Sequence, residues 1–325
     1  MRVFVTGASG HIGFAVVAEL LGAGHKVAGL ARSEASAEKL RKAGAEVVRG
    51  DLDDLAGLVA AAEAAEGVIH LGYKHDLAFG GTPDGFVKAA EHDTRVVKAF
   101  GEALIGSNKP FVNTAGTAQL VLFGGMTRTG TEEDVLPGGP RVDGENAVIA
   151  LAERGVRSSV VRLPPTVHSS LDHHGFVPMF VAAARKNGSS VYIGDGANVW
   201  PAVHTLDAAK LYRLALESAP PGTRLHGVAD EGVSFRAIAE AIGKGVGVPA
   251  KSVSADEAPK YLGGMAHFAQ VSNPTSSART RALLKWEPTH PGLLADLAEG
   301  HYFVSADRPT SQVRTHRGPR GRRSR

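Results

Sequence analysis

Val3-Phe4-Val5-Thr6-Gly7-Ala8-Ser9-Gly10-His11-Ile12-Gly13 is the stretch that decides the fold of this chain. Val3 to Thr6 reads as a short buried strand, and from His11 to Gly22 the residues Ile12, Ala15, Val16 and Leu20 recur at helical spacing. Gly7, Gly10 and Gly13 punctuate the turn between them. A dinucleotide pyrophosphate needs a tight turn, a backbone free of side chains, and a helix amino terminus whose N–H groups and dipole favour anions. The glycine spacing supplies all three. A glycine triplet alone often does no more than fit a turn, but a strand before it and a helix after it point to a cofactor. Gly7, Ser9, Gly10, His11, Ile12 and Gly13 are assigned to that role.

The rhythm continues outward from this turn. Val27 to Leu30, Glu46 to Val48, Val68 to Leu71, Phe111 to Thr114 and Ser159 to Leu163 read as further short strands, with helices expected near 34–43, 53–65, 84–105 and 143–154. Such alternation means parallel strands joined by right-handed crossovers, an α/β doubly wound Rossmann-type sheet whose ligands sit beyond the carboxyl ends of the strands. After about residue 164 the pattern breaks at Pro164-Pro165, and helices are expected near 176–186, 206–217, 234–243 and 290–299. The division read here is a dinucleotide-binding domain over 1–164, a smaller substrate-binding lobe over 165–306, and a basic tail over 307–325. Residues 197–217 return to the first domain in this reading, Ala202-Val203-His204 as a strand and Asp207 near the cap of a helix.

Composition narrows the class. Of 325 residues, 43% are hydrophobic and 21% charged, ordinary globular fractions that exclude fibrous and disordered chains. The absence of cysteine removes disulfides, thiolate nucleophiles and Cys-ligated zinc, and fits a reducing cytoplasm. Neither a signal peptide nor an apolar run long enough to span a membrane is read, so no membrane partner is expected. The formal charge of +3 is misleading, because residues 307–325 hold seven Arg against one Asp and leave the rest of the chain mildly acidic. This tail has too little apolar surface to fold and is expected to be disordered; nucleic-acid binding is not expected without interleaved aromatic residues.

Two positions bear on which dinucleotide is bound. An enzyme preferring NAD places Asp or Glu after the second strand, to bind the ribose 2′-hydroxyl. Here Ala31-Arg32-Ser33 follows Leu30, and a cation beside a hydroxyl suits a 2′-phosphate, so NADP(H) is favoured over NAD. The alternative makes Arg32 a solvated loop charge. After the third strand, Gly50-Asp51-Leu52 would present Asp51 to the adenine amino group, unless Asp51 only helps to cap a helix starting at Asp53 or Asp54.

The motifs TGxxGxxG, the GDL turn at 50–52, VIHLG at 68–72, FVNTAGT at 111–117 and VVRLPPTVH at 160–168 resemble those of the extended and atypical short-chain dehydrogenase/reductases. That superfamily holds nucleotide-sugar epimerases, dihydroflavonol reductases and NmrA-like sensors, and the resemblance covers about residues 1–240. It implies that Leu52, Leu71 and Gly72 line the cofactor path, that Thr114 closes the fifth strand beside it, and that Pro164 to Val167 approach the nicotinamide. It also implies a homodimer through the helices near 84–105 and 143–154. Val96, Val97, Phe100 and Leu104 form an apolar stripe on the first of these, although a stripe usually faces the sheet.

The chain departs from the family at its chemistry. Resembling enzymes use a Tyr-x-x-x-Lys pair to give a proton to a carbonyl, but Tyr73, Tyr192, Tyr212, Tyr261 and Tyr302 are followed four residues on by Leu77, Gly196, Leu216, Met265 and Ala306. Counting back from Arg162 and Glu145 puts the tyrosine position at Pro137, the lysine position at Arg141, and the Ser/Thr position at Gly116 with Thr117 beside it. Arg141 suits a ribose hydroxyl or an oxyanion but does not readily give up a proton. Tyr73, with Lys74 beside it to lower its pKa, is the first substitute donor, and His168 after the sixth strand is the second. The structural alternatives are a packing aromatic and a satisfied loop histidine. Phe176, Tyr192 and Trp200 would wall an apolar substrate or simply pack, and no ligand spacing suggests a metal.

Three readings follow: a reductase or dehydrogenase for a small carbonyl, imine or activated alkene; a non-redox epimerase or dehydratase; and a cofactor sensor without turnover. Calorimetry is expected to show NADP bound more tightly than NAD, and equal affinities would remove the role given to Arg32.

Overall fold

The computed structural model describes residues 1–304, so the basic tail at 307–325 lies outside the described residues. Its strands are β1 (Arg2–Thr6), β2 (Lys26–Ala31), β3 (Glu46–Arg49), β4 (Gly67–His70), β5 (Pro110–Gly116), β6 (Arg157–Leu163), β7 (Thr166–His168), β8 (Ser190–Ile193), β9 (Val199–His204), β10 (Thr223–His226), β11 (Asp230–Ser234) and β12 (Ala250–Val253). The helices used below are α1 (His11–Gly22), α2 (Glu34–Lys42), α3 (Leu55–Glu63), α4 (His75–Ala78), α5 (Gly85–Leu104), α6 (Gln119–Leu122), α7 (Val142–Ala150), α8 (Phe176–Asn187), α9 (Thr205–Ser218) and α10 (Phe235–Val246).

Seven strands form one parallel sheet in the order β10-β6-β5-β4-β1-β2-β3, the doubly wound arrangement expected from the alternating pattern. Each face is covered, which is why the inner strands read as continuous apolar runs. On one face α1, α2 and α9 bury Val16, Leu20, Leu40 and Leu211 with Trp286. On the other, α3, α5 and α7 bury Leu58, Val96, Val97, Phe100, Leu104 and Val148. The apolar stripe of α5 is thus turned to the sheet, while Lys88, Glu91, Arg95, Lys98 and Glu102 of the same helix are exposed.

Residues 197–217 contribute to two different sheets' surroundings. Helix α9 lies against α1 and the main sheet, whereas β9 pairs with β7 and β11 in a separate three-stranded sheet of the lobe. The side chain capping α9 is His204, accepting from the Leu206 N–H at 3.2 Å. Asp207 instead grips the segment before the helix Leu293–Ala298, accepting from the backbone N–H groups of Thr289 and His290 at 3.0 Å each. Strand β10, beyond any strand read from the sequence, extends the main sheet beside β6. The lobe has its own core around Phe180, Trp200, Phe235 and Ile242, backed by the two-stranded sheet β8 and β12.

A buried ionic cluster ties β6 and β10 to α7. Glu145 takes Arg162 in two hydrogen bonds, of 2.5 and 3.0 Å, and Arg224 at 2.6 Å, and Arg162 is 0% exposed. Burial alone would raise the Glu145 carboxyl, but hydrogen bonds and charge from Arg162 and Arg224 outweigh it and hold the group below its ordinary value. His226, pushed down to about 4 chiefly by burial, faces Arg162 as a neutral acceptor at 3.3 Å. Glu145→Ala would strand a buried guanidinium and is expected to cost about 3–5 kcal/mol in urea unfolding. Because the folded carboxyl is depressed, the native cluster contributes fully above the ordinary pKa of 4.5 and loses its contribution as pH falls below it. Stability of the wild type unchanged between neutral pH and pH 3 would contradict this account.

Candidate functional site

The glycine turn is built by close approach. Gly7 adopts φ +66°, and a Cβ there would lie 2.8 Å from the Gly72 nitrogen at the end of β4. Gly13 sits so tightly under the turn that a Cβ would lie 2.1 Å from the Gly7 carbonyl oxygen, and the Gly10 N–H closes the loop onto that oxygen at 3.0 Å. Gly10 is the N-cap of α1 and no side chain caps the helix, so its first turn presents backbone amides to an incoming anion. These residues fit a pyrophosphate. Ile12 packs into the core below, and the His11 ring is committed elsewhere, with Nε2 2.7 Å from the Thr205 hydroxyl. Burial, and then the neighbouring histidines, push His11 down to about 4. It therefore pins α1 to α9 as a neutral ring, and what it offers a phosphate is its backbone.

The loop after β2 is more open. Arg32 is 77% exposed and its only ion pair among the described residues is to Asp76 at 3.7 Å, a surface contact of little strength. Ser33 caps α2, accepting from the Ser36 N–H at 3.2 Å. Lys39 adds a cation that the sequence reading passed over: its Nζ donates to the Ser9 carbonyl at 2.8 Å and lies 4.2 Å above the Phe14 ring. Asp51 accepts from the Asp53 N–H at 2.8 Å, and Asp54, not Asp51, caps α3. Leu52 reaches the Gly72 backbone, where an added Cβ would lie 3.0 Å from its methyl.

A relay fixes the floor of the cleft. The Thr6 hydroxyl accepts from the Leu71 and Gly72 N–H groups at 3.2 and 3.0 Å and lies 2.6 Å from His70 Nδ1, while His70 Nε2 lies 3.1 Å from Asp93. Thr114 donates to the His70 carbonyl at 2.8 Å and is met by the Tyr212 hydroxyl at 2.8 Å. The Thr114 carbonyl in turn accepts from Arg141 Nη2 at 2.9 Å. Arg141 stands at the N-cap of α7 with φ +65°, an uncommon conformation for so large a residue. Its guanidinium carbon lies 4.2 Å from the Tyr73 ring centre. The Tyr73 hydroxyl and Arg141 Nε are both buried without a hydrogen-bond partner.

Tyr73 and Arg141, assigned separately from the sequence, thus meet beside Thr114. One detail differs from expectation. Lys74 turns away to Asp53, at 2.6 Å, and the cation over the ring is Arg141. Burial raises the Tyr73 phenol above its ordinary value, and Arg141 only partly offsets it. Thr117 is wholly buried and accepts from Asn273 at 2.8 Å. His168 is also wholly buried, with Nδ1 2.9 Å from Asp296, and among the described residues no hydrogen bond joins it to Tyr73 or Arg141. In the same lobe Asp296, Glu299 and His301 bring three ligand-type atoms within 4.8 Å, a grouping that the search for histidine pairs and His/carboxylate clusters with metal-site spacing did not find. Phe176 packs edge-on to the buried Trp200 at 5.1 Å, and Tyr192 packs against the same core with Arg236 over its ring at 5.5 Å.

The turn makes a sharp demand. Gly13→Ala is expected to abolish the calorimetric heat of pyridine-nucleotide binding, while Gly22→Ala, whose added methyl meets nothing within 4 Å, leaves it intact. Undiminished heat from Gly13→Ala would contradict the assigned cradle.

The chain is similar to known proteins along most of its length. The model of the NAD dependent epimerase/dehydratase family matches residues 3–225. An uncharacterized protein of Schizosaccharomyces pombe is 45% identical over 305 residues, covering 93% of this chain and 100% of the relative. An uncharacterized protein of Saccharomyces cerevisiae is 39% identical over 302 residues, covering 91% of this chain and 98% of its own. Among solved structures, the dTDP-glucose 4,6-dehydratase of Streptomyces venezuelae with NAD bound superposes with a TM-score of 0.72 at 17% identity, over 93% of this chain and 96% of that one, a likeness of fold. With its family model matched from the first strand through β10, the chain belongs to the NAD dependent epimerase/dehydratase family, within the extended short-chain dehydrogenase/reductases, whose members are NAD(P)-dependent enzymes.

Proposed function

We propose that this chain is an NADP(H)-dependent oxidoreductase acting on a small carbonyl, imine or activated alkene, with Tyr73 as proton donor and Arg141 as the cation that stabilises the developing oxyanion. The observation that carries the reading is the orphaned Tyr73 hydroxyl, buried beneath the Arg141 guanidinium at the carboxyl end of the sheet. A phenol raised above its ordinary pKa stays protonated at neutral pH and is poised to give its proton rather than to hold a charge. Arg141 keeps its charge throughout and stabilises negative charge where it develops. Its left-handed backbone stores about 1–3 kcal/mol of strain, a cost often found where a side chain is held for function.

When bound, the dinucleotide supplies or accepts a hydride. Gly7, Gly10 and the first amides of α1 hold its pyrophosphate in this proposal, Leu71 and Gly72 flank its ribose, and Arg32, with Lys39 near the turn, favours a 2′-phosphate. Thr117 and His168 hold the walls. The division into a dinucleotide-binding body and a lobe closing over it, and a place in a reducing cytoplasm, belong to the same reading. The family match favours a second one, an epimerase or dehydratase that ends each cycle with its cofactor unchanged.

Tyr73→Phe removes one hydroxyl already lacking a partner, so it is expected to fold normally and to lose about 10²- to 10⁴-fold in turnover. Wild-type reduction should decline only above the ordinary tyrosine value of 10, where the raised phenol begins to ionise. NADPH oxidation at 340 nm with a panel of carbonyl compounds measures both. Unimpaired turnover in Tyr73→Phe would remove the assigned donor, and substrate conversion without net cofactor oxidation would favour the second reading.

A further inference from the structure

The Tyr73 ring is the first of a continuous band. His75 meets it edge-on at 5.2 Å, and Phe79 stacks on His75 at 6.1 Å. Phe79 then contacts Phe86 at 6.5 Å and, across to the lobe, Phe268 at 6.3 Å. Phe268 lies 5.5 Å from Phe176, behind which stands Trp200, and Phe86 lies 6.1 Å from Phe123. Sheet body and lobe therefore share one aromatic surface that begins at the orphaned phenol.

That surface is not sealed. Phe79 is 54% exposed and Phe123 41%, a cost in water that singles out a contiguous apolar patch as a binding surface. Of the cation–ring contacts among the described residues, only that of Arg141 falls on the band, and the charges beside Phe79 and Phe86 are already paired, Asp76 with Arg32 and Asp84 with Lys88. A diphosphate would require several cations. A planar ring packs favourably on exposed aromatic faces and edges.

We infer that the substrate is a planar aromatic carbonyl compound, its ring laid against the Phe79–Phe268 band and its oxygen turned toward Tyr73 and Arg141. The inference rests on the reductase reading above and gives that site its substrate class. In the step it implies, the carbonyl carbon accepts a hydride from the reduced dinucleotide and the π pair moves onto oxygen. Oxygen takes the Tyr73 proton, giving an alcohol and the oxidised dinucleotide, and water returns a proton to the tyrosinate.

Binding is measured apart from turnover. Calorimetry with 2-acetylnaphthalene and, separately, UDP-glucose is run on the full chain alone and saturated with NADP+, which cannot reduce a ketone. The ketone is expected to bind, UDP-glucose to give no heat, and Phe79→Ala, at an exposed position that spares the core, to weaken the ketone about fivefold through loss of ring contacts. Silence toward the ketone, binding of UDP-glucose in its place, or unchanged affinity in Phe79→Ala overturns the inference. Ketone binding that depends on Phe79 without NADPH oxidation would keep the substrate class and remove the reductase reading instead.

Discussion

Everything at the cofactor cleft depends on how closely two pieces of backbone pass each other. The turn after β1 and the end of β4 meet where Gly7 has no room for a side chain, and Thr6 stitches them together by accepting both N–H groups of the Leu71–Gly72 segment. His70 and Asp93 hold the Thr6 hydroxyl in turn, so a buried polar relay from α5 sets the position of the cleft floor. A buried network of this kind is valuable only when each member is satisfied. Here the Thr6 oxygen, both amides and both ring nitrogens of His70 have partners.

The same contact bears on the proton donor proposed above. Arg141 spans from the Thr114 carbonyl to the Tyr73 ring. Tyr73 follows directly from the Leu71–Gly72 segment, so the relay that fixes the cleft floor also fixes where that phenol stands. A tyrosine delivered from the end of β4 thus lies against a guanidinium at the N-cap of α7.

Much of the sheet was legible because β1, β4, β5 and β6 are buried on both faces and their apolar runs admit no other reading. Strand β10 was not, since Thr223-Arg224-Leu225-His226 is short and mostly polar and earns its place only through β6 and the Glu145 cluster. The cofactor turn was legible because it is local in sequence. Tyr73 and Arg141 were each legible as residues and illegible as a pair, because 68 positions separate them and only the folded sheet brings the ring under the guanidinium. His168 shows the same limit: its partner Asp296 comes from the far end of the lobe, and nothing local announces it. Lys39 was passed over for a different reason, since a helical lysine reads as a solvated charge until its contact with Ser9 is seen.

The two tryptophans occupy different cores. Trp286 is fully buried on the sheet body, donating to the Asp207 carbonyl at 3.0 Å, and Trp200 lies in the lobe, donating to the Val271 carbonyl at 3.1 Å. Each half of the molecule therefore carries its own built-in emitter, and replacing one indole leaves the other to report on a single half. Whether sheet and lobe melt together or in sequence becomes a question that light can answer without any added label.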